Sequence, residues 1–132
     1  MAEQIVEGIR LIDSNVVVKV YNLAKSDVND LITEVFKSKT VIMGSPTIGN
    51  SILPVMAGFI HLVKELKFKD KKASAFGCYG WSGESVTVLN ELMNEAGFTL
   101  IGDGFKNLWN PDDSAKLKAQ EFGKIIAQSS NN

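Results

Sequence analysis

The chain has little of what marks a secreted, metal-binding or membrane-spanning protein. Among 132 residues there is one cysteine and one histidine. The single Cys78 excludes an internal disulfide and a CxxC metal knuckle, and it points to a reducing, cytoplasmic setting. No apolar run reaches the roughly 20 residues needed to span a bilayer, and the amino terminus lacks a signal-peptide pattern. Charge of either sign is scarce in net terms. A formal balance of -1 gives no electrostatic case for nucleic acid or an anionic membrane, so neither is expected as a partner. What is present is ordinary globular material, 45% hydrophobic and 22% charged, long enough for one domain with a real core.

Two stretches organise the rest, TVIMGSPTIGN at residues 40–50 and ASAFGCYGWSG at residues 73–83. Each opens as a short apolar run without polar alternation, which reads as a strand buried on both faces. Each then breaks into a loop of Gly, hydroxyl and aromatic residues and feeds an amphipathic helix. Two successive strand-loop-helix units predict a parallel sheet, and ligands bind such sheets where the strands end at their carboxyl edge. Function is therefore expected in these two loops.

The remaining elements follow the same alternation. Ala2, Ile5, Val6, Ile9 and Ile12 lie at helical spacing from the start, with no capping residue and no delivering strand before them. Residue 1 is accordingly expected inside or just before a helix whose strand and loop are absent. Residues 16–21, VVVKVY, form a β-branched run that predicts a strand. Ser26 is expected to cap a helix with Val28, Leu31, Ile32, Val35 and Phe36 on its inner face, closed by Lys37 and Lys39. Pro54 suits the first turn of a helix with an apolar stripe of Val55, Phe59, Leu62, Val63 and Leu66. A helix carrying Val86, Leu89, Leu92, Met93 and Ala96 stops at Gly97. Phe98 to Ile101 predicts a strand, extended or interrupted through Gly102, Asp103 and Gly104 to Phe105. Pro111, Asp112 and Asp113 start a last helix with Ala115, Ala119, Phe122, Ile125 and Ile126 inside. The whole predicts an α/β doubly wound parallel sheet in three layers, one domain over residues 1–132.

The loops narrow the ligand. A phosphorylated receiver domain needs an acceptor Asp where Met43, Gly44 and Ser45 stand, and a dinucleotide fold needs G-x-G-x-x-G, whereas Gly77, Gly80 and Gly83 are spaced G-x-x-G-x-x-G. What remains is flexible backbone, hydroxyls and two large aromatics, Tyr79 and Trp81, which suit a flat heterocycle. Residues 44–50 with Leu53 and Pro54, residues 75–83, and more weakly residues 21–27, 96–98 and 109–112 together resemble the flavodoxin-like FMN domain of the flavodiiron proteins, above all their nitric-oxide-reducing flavorubredoxin branch.

That resemblance implies FMN as cofactor and electron transfer as role. It places Ser45, Pro46, Thr47, Ile48, Gly49 and Asn50 along one edge of the flavin, and Gly77, Cys78, Tyr79, Gly80, Trp81 and Gly83 along the other. It further implies, as partners, a di-iron metallo-β-lactamase-like module that reduces oxygen or nitric oxide, a rubredoxin-like donor, and a homo-oligomer. With His61 as the only histidine, no di-iron site is expected in this chain, which would carry electrons and reduce no substrate itself. The family's first strand and phosphate-gripping loop precede the opening helix and have no counterpart here. The flavodoxin-like sheet is thus expected to lack its first, central strand, to leave edges unpaired, and to bind FMN weakly or not at all. A flavodoxin-fold remnant serving as an interaction element is the alternative reading, and a free flavodoxin-like carrier a weaker one. Cys78 is expected to be a small residue beside the ring, His61 a solvated surface residue, Trp109 a structural aromatic, and Asp112 and Asp113 helix-start charges.

Overall fold

The computed structural model describes residues 1–47, 51–79, 83–108 and 112–130. Its sheet contains β1 (Thr40–Gly44), β2 (Lys72–Tyr79), β3 (Thr99–Leu100) and β4 (Phe105–Leu108), and the pairings among these four strands are parallel. β2 is central: β1 runs along one side of it from Thr40 opposite Lys72 to Gly44 opposite Phe76. Along its other side β3 pairs first and β4 resumes after the Gly102-Asp103-Gly104 break, so the last strand is one strand interrupted, as expected. Parallel neighbours need crossovers, and these are helices α3 (Pro54–Leu66) and α4 (Glu84–Glu95), with α1 (Ala2–Ile12), α2 (Val28–Lys37) and α5 (Asp113–Ser130) completing the set.

Strand alternation sends side chains to opposite faces and builds a core on each. On one face Met43, Ala73 and Ala75 meet Val35 of α2, Met56, Ile60 and Val63 of α3, and Val86, Leu89 and Met93 of α4. On the other, Ile42, Phe76 and Phe105 meet Ile5 and Ile9 of α1 with Ala119, Phe122 and Ile126 of α5. The α1–α5 pair is close because glycine faces backbone: a Cβ on Gly8 would overlap the Gln120 carbonyl, and one on Gly123 the Ile5 carbonyl. Three layers result, as the alternation of elements predicts.

The main departure concerns residues 16–21, which form no strand and no ladder. Val17 is 80% exposed and Val20 58%. A β-branched run forms a strand only against a partner, and none pairs with it among the described residues. Ser45 N–H donates to Phe76 O at 3.2 Å and Lys39 O accepts from Lys72 N–H at 3.0 Å. The odd-numbered residues of β1 therefore spend their backbone groups on β2, and Thr40, Ile42 and Gly44 direct theirs outward. Among the described residues no backbone group of a neighbouring strand meets that outer edge. Val18 and Ile42 nonetheless pack against the same α1–α5 cluster.

Smaller corrections have local causes. Asp27, not Ser26, caps α2: its Oδ1 accepts from Asn29 N–H at 2.8 Å, while Ser26 Oγ donates to Asn22 O at 2.7 Å. Both can cap, and the one nearer the first turn wins. In α2, Val28 and Phe36 face solvent. In α3 the buried positions are Met56, Ile60 and Val63, while Val55, Leu62 and Leu66 are exposed. That helix is apolar around most of its circumference, so periodicity alone does not pick its inner face. In α5, Ile125 points outward and Ala127 inward.

Candidate functional site

The carboxyl ends of β1 and β2 lie side by side, and the loops that leave them are tied together. Thr47 N–H donates to Cys78 O at 3.1 Å, continuing the ladder one step beyond β1. Thr47 Oγ1 then accepts from Ser85 N–H, the second residue of α4, at 3.1 Å. Ser45 Oγ accepts from Leu53 N–H at 3.0 Å and donates to Pro46 O at 2.9 Å, which folds the first loop back toward the start of α3. The hydroxyls of both loop residues are thus spent on positioning backbone.

Glycine permits the close approach. A Cβ on Gly77 would stand 2.5 Å from Ser45 O and 2.6 Å from Ser85 Oγ, and one on Gly44 would strike the Phe76 ring. Gly83, which immediately precedes α4, lies under two side chains: a Cβ there would meet Lys106 Cδ at 2.8 Å and Tyr79 Cδ1 at 3.3 Å. A cavity of about 210 Å³ opens between the loops, lined by Met1, Gly44, Ser45, Pro46, Gly77 and Cys78 among others. Met1 precedes α1 and makes no side-chain cap, so the amino end of that helix also faces the cavity. Burial pushes the Cys78 thiol above its ordinary value, with the amino-terminal ammonium opposing the shift. It is a neutral wall and a poor nucleophile.

Of the residues expected to hold a cofactor, the structure brings together Ser45, Pro46, Thr47, Gly77, Cys78, Tyr79 and Gly83. Ile48, Gly49, Asn50, Gly80 and Trp81 lie outside the described residues, as does Trp109. Ser85 and Lys106 escaped sequence reasoning; their part depends on α4 and β4 meeting at this rim, and only the proximity of Ser85 to the second loop hinted at it. A larger groove of about 640 Å³, lined by Ile32, Phe36, Leu66, Lys67, Phe68 and Lys71 among others, sits at the opposite rim, where β2 begins. In a parallel sheet the amino edge is the wrong end for a loop-built ligand site. His61 is exposed, and Asp112 Oδ1 accepts from Ala115 N–H at 2.8 Å as a helix cap. Among the described residues no group of His, Cys, Asp and Glu is placed to hold a metal, and no helix is long and apolar enough to cross a membrane.

The flavodoxin family model matches residues 1–123. The chain belongs to the flavodoxin family. Within it, this flavodoxin domain is 41% identical over 128 residues to the anaerobic nitric oxide reductase flavorubredoxin of Aeromonas hydrophila, covering 97% of the chain and 26% of that protein. The same enzyme of Aliivibrio fischeri is equally similar, at 41% over 128 residues. The chain therefore spans about a quarter of the length of these relatives. Among solved structures, the rubredoxin:oxygen oxidoreductase of Desulfovibrio gigas superposes with a TM-score of 0.85 at 29% identity, over 99% of this chain and 34% of that one. A flavodiiron core from Synechocystis gives 0.88 at 27% identity, over 98% and 32%. An archaeal flavodoxin gives 0.85 at 29%, over 99% and 88%. The flavodoxin domain thus corresponds to the flavodoxin-like part of flavodiiron and flavorubredoxin proteins, and that fold and family imply FMN.

Proposed function

We propose that this domain binds FMN between its two loops and passes electrons within a flavodiiron-type oxidoreductase. The observation that carries this reading is the joining of the loops at one rim through Thr47, which meets Cys78 O with its amide and Ser85 N–H with its hydroxyl. The residues present fit a flat ring. Gly44 and Gly77 let Phe76, the first loop and α4 close up behind the cavity, Phe76 lines it, and Pro46 and Cys78 are neutral walls. FMN, when bound, supplies the redox chemistry. The protein's own groups position it: Ser45 and Thr47 fix the first loop, and Lys106 lies across Gly83 where its positive charge favours a ring that gains electrons. Ile48, Gly49, Asn50, Gly80 and Trp81 complete the proposed site.

The cavity of about 210 Å³ is smaller than the roughly 300–1,000 Å³ of usual ligand pockets. The amino end of α1 offers a phosphate its free amides but no capping side chain. The small cavity favours weak FMN binding by this chain. The outward backbone groups of Thr40, Ile42 and Gly44, with the exposed run at residues 16–21, favour association into oligomers. A di-iron module as electron acceptor, a rubredoxin-like donor, and a cytoplasmic location consistent with the lone thiol complete the proposal. The test is titration of the purified chain with FMN, following flavin fluorescence, together with sedimentation velocity. Saturable quenching by a species larger than one chain is expected. Unquenched flavin at high protein concentration leaves the interaction-domain reading in its place.

A further inference from the structure

The groove of about 640 Å³ at the rim opposite the two loops has an apolar floor and a charged border. Ile32 and Phe36 come from α2, Leu66 ends α3, and Phe68 follows it. Phe36 and Leu66 are 69% and 47% exposed, and the rings of Phe36 and Phe68 lie tilted by 53° with centroids 6.2 Å apart. Apolar side chains gathered in this way at a surface mark a contact with another molecule. The bordering stretches, residues 36–39 (FKSK) and 65–72 (ELKFKDKK), hold six of the 14 basic residues against two acids, Glu65 and Asp70, in a chain whose net charge is -1. Part of that charge serves the fold. Lys71 Nζ donates to Phe36 O at 2.9 Å and to Ser38 O at 2.6 Å, which satisfies carbonyls at the carboxyl end of α2, and it stands 5.6 Å from the Phe68 ring centre. Lys67 and Lys69 have no such task. Both line the groove, both are exposed, and among the described residues neither forms an ion pair. Lys67 also holds φ at 54°, the left-handed conformation that ends α3, where glycine is the unstrained choice. A long cation kept at a position that suits glycine points to a use for its charge.

We propose that this groove docks an acidic segment of a partner polypeptide, whose apolar anchor side chain enters between Phe36, Leu66 and Phe68 while its carboxylates meet Lys67 and Lys69. The lysines set the sign of the partner's charge, and the recessed apolar floor requires a side chain that can be inserted. A flat anionic bilayer would touch the lysines and leave the floor unfilled, and a chain of net charge -1 has no long-range attraction to it. The contact is independent of the cofactor. β2 runs 8 residues from this rim to the loops, about 26 Å at the rise of a strand, so a segment held here leaves the loop rim free.

The test is fluorescence anisotropy of dye-labelled synthetic peptides in which Glu and Asp flank a single Phe, Trp or Leu, titrated with the full chain in the presence and absence of FMN. Control peptides carry Lys in place of the acids, or Ser in place of the anchor. Saturable binding of an acidic, anchored peptide is expected, equal with and without FMN and weakened by added sodium chloride. Lys67→Gly and Lys69→Ala should each weaken it by about 2- to 5-fold, and Phe36→Ala by about 5- to 30-fold. Lys67→Gly should melt no lower than the wild type, because glycine suits that backbone, so its loss of affinity is not a loss of fold. Absence of saturable binding by every acidic peptide overturns the proposal. So does unchanged affinity in Lys67→Gly and Lys69→Ala, equal binding of the Ser-anchored control, or a preference for phosphatidylserine vesicles over the peptides. A chain that binds the acidic peptides but not FMN upholds this docking site while removing the FMN reading.

Discussion

Replacing Gly77 by alanine tests whether the two loops are held together by the close approach of their backbones. The new methyl would stand 2.5 Å from Ser45 O and 2.6 Å from Ser85 Oγ, well inside ordinary contact. The nearer of the two atoms is a backbone carbonyl, and Ser85 is buried at 1% exposure with its own backbone tied to Thr47, so a side-chain rotation alone does not relieve the clash. The first loop must move away from α4 by a large fraction of an ångström. Overpacking of this kind costs about 1–3 kcal/mol, which is on the order of 5- to 150-fold if the strain falls on the ligand-competent arrangement of the loops. Thermal melts should fall by several degrees, and FMN affinity should fall within that range. Gly58→Ala is the internal control. Nothing lies within 4 Å of a Cβ at that position on α3, so the change should stabilise by about 0.5–1 kcal/mol and leave FMN affinity alone. A Gly77→Ala protein that melts and binds FMN like the wild type would refute the claim that this contact shapes the site.

Other expectations follow from the same geometry. Thr47→Val removes the acceptor of Ser85 N–H and should cost about 1 kcal/mol, roughly fivefold in FMN affinity, while Thr47→Ser restores most of it; titrations of the three proteins check this. Cys78 should alkylate slowly with iodoacetamide at neutral pH, with a rate midpoint above the ordinary thiol value of 9.0, because burial raises its pKa. Its linkage to stability has a definite sign. A raised folded-state pKa means the contribution is fully present below the unfolded value and is lost as pH climbs through the folded one. Urea midpoints should therefore drop above about pH 9 in the wild type and less so in Cys78→Ser.

Much of the fold was legible because its strands are buried on both faces. TVIMG and ASAF are short, mostly apolar runs without charged residues, and each has a turn-rich loop and an apolar helix behind it, so β1, β2, α3 and α4 announce their order and their parallel pairing. What was not legible depended on distant partners. The β-branched residues 16–21 have a strand's composition, but a ladder is a property of two segments, and among the described residues β1 bonds only to β2. The inner face of α3 was misread because Val55, Leu62 and Leu66 are as apolar as Met56 and Ile60, and only the packing of β1 and α4 decides between them. At the site, the glycines and hydroxyls of both loops were visible in the sequence. The contributions of Ser85 and Lys106 were not, since a donated amide and a lysine crossing from β4 exist only once the rim is assembled.

The central claim is that the cofactor sits where β1 and β2 end. Amide resonances of the ¹⁵N-labelled chain, followed as FMN is added, address it directly. Shifts should concentrate on Ser45, Thr47, Gly77, Cys78, Tyr79 and the first turn of α4, and leave Phe68 and Lys71 at the opposite rim unmoved. Shifts that cluster instead around the Phe36 and Phe68 groove would contradict it.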